Sequence, residues 1–248
     1  WCFKDPSGMC NTTHSADPDR RKAFAQQLEQ GFGEVSFIVY SDDHGASWRN
    51  SQPFGAYGAE GEAVQLSKPG QLLYNYRFDA PMTDSCPDGA PRCDTGWGAN
   101  ITVACGPSSD GRPAPVHCRC AMFSSDDGSS WRDASGGTGW FGSPIPDLPD
   151  PGCKGATTRW EEQGALLATN VQDQGRPGFK QNPRYNLTLS ISHDEGRTWP
   201  RRLIVFPARL GRTGYSDVRM TGSGKVAIHL DTEQNDGCRA IVARLCPN

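Results

Sequence analysis

Ser41-Asp42-Asp43-His44-Gly45-Ala46-Ser47-Trp48 is the first of three copies of one pattern. The second is Ser124-Ser125-Asp126-Asp127-Gly128-Ser129-Ser130-Trp131, and the third is Ser192-His193-Asp194-Glu195-Gly196-Arg197-Thr198-Trp199. All fit Ser-x-Asp-x-Gly-x-(Ser/Thr)-Trp, and an internal repeat constrains a fold more than any single segment does. The chemistry is that of a tight turn. Ser and Asp side chains can bond nearby backbone N–H groups, Gly supplies a positive φ, and Trp offers a large apolar plug. Each copy follows a stretch that reads as a strand, so each is expected to make a hairpin turn. The Asp residues are read as turn-formers. A calcium loop of EF-hand type needs more carboxylates at its own spacing, so no metal is expected.

The rest of the chain agrees with an all-β fold. Hydrophobic residues make up only 35%, with 29 Gly and 19 Pro in 248 residues. That suits many short strands joined by turns. Candidate strands are 34–40, with Val35, Phe37 and Val39 on one face, then 71–77, 118–124, 165–170, 185–192, 225–230 and 239–245. One helix is expected near the start, capped by Asp17, with Pro18 at its first position and Gly31 at its end. The 79–116 stretch, rich in Gly, Pro and Asp and holding three cysteines, reads as a long loop insertion stapled by disulfides. No linker marks a second domain, so residues 1–248 are taken as one.

Composition excludes some functions. The net charge of −3 leaves no electrostatic footprint for nucleic acid. No apolar run approaches the ~20 residues that span a bilayer. The chain opens Trp1-Cys2-Phe3 without an initiator Met and is expected to begin inside a longer protein. Ten cysteines and the sequons at Asn11, Asn100 and Asn186 favour a secretory or lysosomal compartment. The other reading is free core cysteines in a cytosolic protein. Cys118-x-Cys120 has the wrong spacing for zinc.

The repeat resembles the Asp-box of sialidases. That resemblance implies a six-bladed β-propeller, here as its later blades only, and it predicts fold better than activity. Segments between the boxes extend it. Glu60-Gly61-Glu62 leads through Lys68-Pro69-Gly70 to Asn75-Tyr76-Arg77, which resembles the sialidase pattern of a Glu opening one strand and Asn-x-Arg closing the next. It implies that Glu60 polarises the nucleophile, with Glu62 the competing assignment, and that Arg77 binds the substrate carboxylate. Pro183-Arg184 before the third box resembles the strand of a further carboxylate-binding arginine, Arg184. Gly214-Tyr215-Ser216-Asp217 resembles the nucleophile motif, implying Tyr215. Gly152-Cys153-Lys154-Gly155 is similar to a segment preceding the third-arginine strand in animal sialidases. Within the family the likeness is greatest to lysosomal sialidases. It is carried by Ser41 to Arg49, His117-Cys118-Arg119-Cys120, Asn186-Leu187-Thr188 and Gly214-Tyr215-Ser216, and runs from about Val35 onward.

The implied activity is exo-α-sialidase, with no cofactor, acting on terminal sialic acid of glycoproteins, oligosaccharides or membrane gangliosides. Guanidinium groups suit a carboxylate because they bind it with paired, charge-assisted hydrogen bonds. A phenol avoids the repulsion a carboxylate nucleophile meets at an anionic centre, and sialidases are the known exception to the two-carboxylate scheme. His193 and His229 read as turn and strand residues. The Arg-Ile-Pro segment that carries the family's first arginine, and its general-acid aspartate, are not recognisable. The 248 residues alone are therefore expected to be inactive and poorly soluble. A non-catalytic Asp-box propeller that binds glycan or protein is the rival, and expects the four residues to scatter. A trans-sialidase is a third reading.

Overall fold

A computed structural model describes residues 36–55, 58–78, 109, 118–137, 142–172, 184–232 and 237–243. The expected helix, the sequons at Asn11 and Asn100 and nearly all of the 79–116 insertion lie outside these residues. What is described is built from antiparallel strands and short turns. A two-stranded ribbon, β1 (Val39–Tyr40) and β2 (Arg49–Asn50), comes first. A four-stranded sheet follows: β3 (Gly58–Gln65), β4 (Leu72–Phe78), β5 (Cys118–Ser124) and β6 (Ser143–Pro149). The next comprises β7 (Ala156–Trp160), β8 (Ala165–Val171), β9 (Leu187–Ser192) and β10 (Arg201–Phe206). The last holds β11 (Thr213–Met220), β12 (Val226–Thr232) and β13 (Gly237–Ala243).

Within every sheet the spatial order is the chain order. The first strands β3, β7 and β11 pack beside one another. The hydrophobic core divides the same way. Phe54 meets Tyr74, Tyr76 and Trp131 between the ribbon and the second sheet. Leu73, Ala121 and Leu148 meet Leu166 and Trp199 between the second and third. Leu167, Leu187 and Phe206 meet Val218, Ile228 and Leu230 between the third and fourth. Sheets stacked face to face through successive apolar layers, with their first strands adjacent, are successive blades of a propeller. The fold is all-β, as the sequence indicates.

The repeats form three turns with one hydrogen-bond pattern. In the first, Ser41 Oγ donates to Asp43 Oδ1 (2.8 Å) and accepts from Gly45 N (2.7 Å). Asp43 accepts from Ser47 N (2.8 Å) and Ser47 Oγ (2.6 Å), and Trp48 Nε1 donates to Gly45 O (3.1 Å). The second and third copies repeat these bonds. Each glycine has positive φ: 91° at Gly45, 86° at Gly128 and 83° at Gly196. The first turn joins β1 to β2 and the third joins β9 to β10. The second leads from β5 to Arg132, which bridges back to Phe123.

The expected plug holds for two tryptophans. Trp131 and Trp199 are buried, whereas Trp48 is 64% exposed and Val39 50% exposed. The first turn therefore forms by local hydrogen bonding alone. Six strands, the short β2 among them, lie outside the stretches the alternation reading picked. β6 carries Pro144, Pro146 and Pro149, which argue against a strand in sequence. It forms because it is an edge strand paired only to β5, with a register shift after Cys118. β7, β10 and β11 mix charge with apolar residues, and β3 is interrupted at Gly61. The strand expected from Tyr185 starts at Leu187 because Asn186 is left-handed (φ 56°). Its Oδ1 accepts from Ala208 N (2.9 Å), which fixes that conformation.

Cys118 is disulfide-bonded, whereas Cys120 and Cys153 are free and buried.

Candidate active site

Two β-bulges build the site. In β3 the register with β4 jumps from Ala59↔Arg77 to Glu62↔Asn75, so Glu60 and Gly61 together oppose Tyr76. Glu60 has φ 48°, a costly conformation for a residue with a side chain. Gly61 beside it cannot be replaced without collision: a Cβ there would lie 2.3 Å from Tyr74 Cζ and 2.6 Å from Tyr76 Cβ. In β11 the register with β12 jumps from Thr213↔Thr232 to Ser216↔Leu230, so Gly214 and Tyr215 oppose Asp231. Bulges bend a strand and re-aim one side chain. Here both belong to first strands, and they turn Glu60 and Tyr215 toward each other.

The Tyr215 hydroxyl donates to Glu60 Oε1. Glu60 Oε2 accepts from Arg77 Nη1 at 2.7 Å. Arg184 lies with Cζ 5.9 Å from the centroid of the Tyr215 ring. Thus all four residues singled out in the sequence meet at one place. Glu62 does not join them. Its carboxylate accepts from Thr157 N (2.9 Å) and pairs with Arg219 Nη2 (2.5 Å), tying β3 to β7 and β11. The bulge separates the two glutamates, which alternate simply in the sequence.

The cluster is half-open. Side-chain exposure is 13% for Arg77 and 24% for Glu60, and Tyr215 is 38% exposed. The Tyr215 pKa is raised, mainly because its proton is held by the Glu60 carboxylate, with burial and the Glu60 charge adding to this and Arg77 opposing it. A phenol that donates to a carboxylate has a proton acceptor already in contact, the arrangement a phenolic nucleophile requires. Two guanidinium groups beside one carboxylate leave the site locally positive, which suits an anionic ligand.

Below the cluster lies a layer the sequence reading did not assign. Arg184 Nη2 donates to Gly152 O (2.9 Å), and Thr213 N donates to Arg184 O (2.9 Å). Asp150 Oδ1 accepts from Gly152 N (2.8 Å) and Cys153 N (2.9 Å). Its other oxygen meets Arg119 Nη1 at 3.1 Å. Burial pushes the Cys153 thiol up to about 12, despite nearby Arg184. The signal for Arg119 was present in sequence as an arginine inside an apolar strand, because a buried guanidinium demands a partner. Among the described residues no group of three or more His, Cys, Asp or Glu is arranged to hold a metal ion.

Comparison with known proteins identifies the architecture. The NanB sialidase from Streptococcus pneumoniae, in complex with a 3-chlorobenzyl-ammonio-ethanesulfonate, matches with a TM-score of 0.51 at 14% identity, over 85% of this chain and 27% of that one. The Trypanosoma rangeli sialidase in complex with 2,3-difluorosialic acid, a covalent intermediate, matches with a TM-score of 0.51 at 20% identity, over 85% and 26%. A further structure of Trypanosoma rangeli sialidase matches at 0.50 and 21% identity, over 85% and 27%. No protein-family profile matches the chain. No curated protein sequence matches it. The chain spans about a quarter of the length of these sialidases. At such identities the likeness is one of fold, and the chain has the fold of part of a sialidase-type β-propeller.

Proposed function

We propose that the protein containing this chain is an exo-α-sialidase that hydrolyses terminal sialic acid with retention, through a sialyl-tyrosine intermediate. The observation that carries this is the hydrogen bond from the Tyr215 hydroxyl to Glu60, with Arg77 and Arg184 beside it. A binding module needs no phenol–carboxylate pair, and the rival reading expects these side chains on separate faces.

In the first step Tyr215 Oη bonds to the anomeric carbon as its proton passes to Glu60. The glycosidic C–O bond breaks, and the leaving oxygen takes a proton from a general acid. In the second step water bonds to the anomeric carbon and gives a proton back to the deprotonated general acid, while the bond from the anomeric carbon to Tyr215 Oη breaks. Glu60 returns its proton to Tyr215 Oη. Arg77 and Arg184 bind the carboxylate on the anomeric carbon, and Arg77 opposes the raised pKa of Tyr215.

We further propose sialylated glycans as substrates, gangliosides among them, on the resemblance of Ser41 to Arg49, His117 to Cys120, Asn186 to Thr188 and Gly214 to Ser216 to lysosomal sialidases. A lysosomal or secreted location is proposed on the cysteines, with Cys118 disulfide-bonded among the described residues, and on the sequons.

The test is trapping. The full-length protein is incubated with 2,3-difluorosialic acid and the Tyr215 peptide is read by mass spectrometry. A sialyl adduct on Tyr215, with α-sialic acid as the first product in NMR, is expected. Absence of both adduct and sialic acid release overturns the reading. Product analysis with a lactose acceptor separates hydrolysis from transfer.

A further inference from the structure

Arg119 is 1% exposed and Asp150 4% exposed, the charged pair farthest from water in the described residues. Such a pair is weak evidence for stability, because desolvation offsets much of the attraction. Its bonds run elsewhere. Arg119 Nε donates to Asn75 Oδ1 (2.7 Å) and Nη2 to Asn75 O (3.4 Å). Asn75 Nδ2 donates to Thr157 Oγ1 (2.9 Å), and Asn75 precedes Arg77 by two positions on β4. Arg119 Nη1 reaches both Asp150 Oδ2 (3.1 Å) and Cys153 O (3.2 Å). Asp150 in turn caps the amides of Gly152 and Cys153, and Gly152 O receives Arg184.

The buried pair therefore joins the strand that carries Arg77 to the loop that holds Arg184. Arg77 lies on β4 and Arg184 in the segment leading into β9, and each has its own direct support. The fork of Arg119 is a buried, bonded route between these supports. We propose that Arg119 and Asp150 are positioning residues that set the spacing of Arg77 and Arg184 for one carboxylate. They touch no substrate. The proposal rests on the sialidase reading above.

The spacing of two guanidinium forks matters because bidentate recognition is geometric. A displacement of about 1 Å at a distance from the chemistry can cost on the order of a hundredfold. Asp150→Asn keeps an acceptor for the two amides while removing the charge that fixes Arg119. Arg119→Lys keeps a cation against Asp150 but cannot also reach Asn75.

The experiment uses the full-length protein, a fluorogenic aryl sialoside, and two competitive ligands: the unsaturated sialic acid glycal with a free carboxylate, and its methyl ester. Asp150→Asn is expected to raise KM roughly ten- to a hundredfold, with a smaller fall in kcat. The same variant is expected to lose its preference for free acid over ester. Arg119→Lys is expected to do likewise, and serves if Asp150→Asn does not fold. Arg184→Ala is measured in parallel. If Arg184→Ala loses the acid preference while both pair variants keep it and the wild-type KM, positioning by the pair is overturned. If Arg184→Ala itself keeps the preference, the substrate reading fails and the proposal fails with it. Lower thermal stability with unchanged KM and preference marks a merely structural pair and also overturns it.

Discussion

The Tyr215 hydroxyl donates to the Glu60 carboxylate across the gap between β11 and β3, although the two residues are 155 positions apart in the chain. Each sits at a bulge in the first strand of its sheet. The pair is made by two local irregularities aimed at one point, and several expectations depend on it.

Replacing Tyr215 with Phe removes the oxygen that would form the covalent bond. The full-length variant is expected to release no sialic acid from an aryl sialoside while still binding the free acid. Glu60→Gln keeps the shape but not the base. Its kcat is expected to fall by about 10²- to 10⁴-fold, the span for a positioned base. Steady-state kinetics with calorimetric binding checks both.

Gly61→Ala should disrupt the first bulge. The added methyl meets the rings and backbone-proximal atoms of Tyr74 and Tyr76, which are buried. Activity is expected to fall together with thermal stability. Gly164→Ala is the control for a positive φ in open space, because nothing lies within 4 Å of the added carbon. It should cost only the backbone strain of about 1 kcal/mol and leave KM unchanged.

The Tyr215 pKa is raised, by the Glu60 hydrogen bond first and burial second. A group whose pKa is raised on folding adds stability below its unfolded value, about 10 for tyrosine. That contribution is lost as pH rises through the folded value. Burial also raises Tyr74 and Tyr76, so ultraviolet titration of Tyr215→Phe is expected to lack one of several late-ionising phenols found in the wild type. Loss of a phenol from the ordinary range of about 10 instead would count against the pairing.

The turn aspartates act at the other end of the scale. Hydrogen bonds from the Ser47 hydroxyl and amide, then from Ser41, lower Asp43 to about 2. For Asp194, burial works in the opposite direction, but bonds from Thr198 and Ser192 outweigh it and the pKa is lowered. Depressed carboxyls stabilise above their unfolded pKa of about 3.9. That stabilisation disappears as pH falls through the folded values. Urea midpoints measured from pH 5 to pH 2 should fall less steeply for Asp194→Asn than for wild type.

The tryptophans of the repeats are not equivalent. Trp199→Ala opens a cavity between two sheets and is expected to cost about 3–5 kcal/mol. Trp48→Ala, at an exposed residue, should cost under about 1 kcal/mol in the same denaturation assay.

How much was legible beforehand differs by element. The three turns could be read because their bonds are local, closing within four residues of each serine or aspartate. The buried central strands β5 and β8 could be read because continuous apolar runs leave few other conformations. β6 could not, since prolines are compatible with a strand only where one edge is free, and edge position is a property of the sheet.

The sequence by itself determined the all-β class, the turn repeat, and the identities of Tyr215, Glu60, Arg77 and Arg184 as residues worth placing. Only the tertiary structure decided that Glu60 rather than Glu62 faces Tyr215. Alternation along a strand puts both glutamates on one face, and a bulge breaks that equivalence. It also decided that Arg119 and Asp150 meet beneath the arginines. Ion pairing between distant strands depends on which sheets stack, and stacking is settled by the long-range burial of apolar faces.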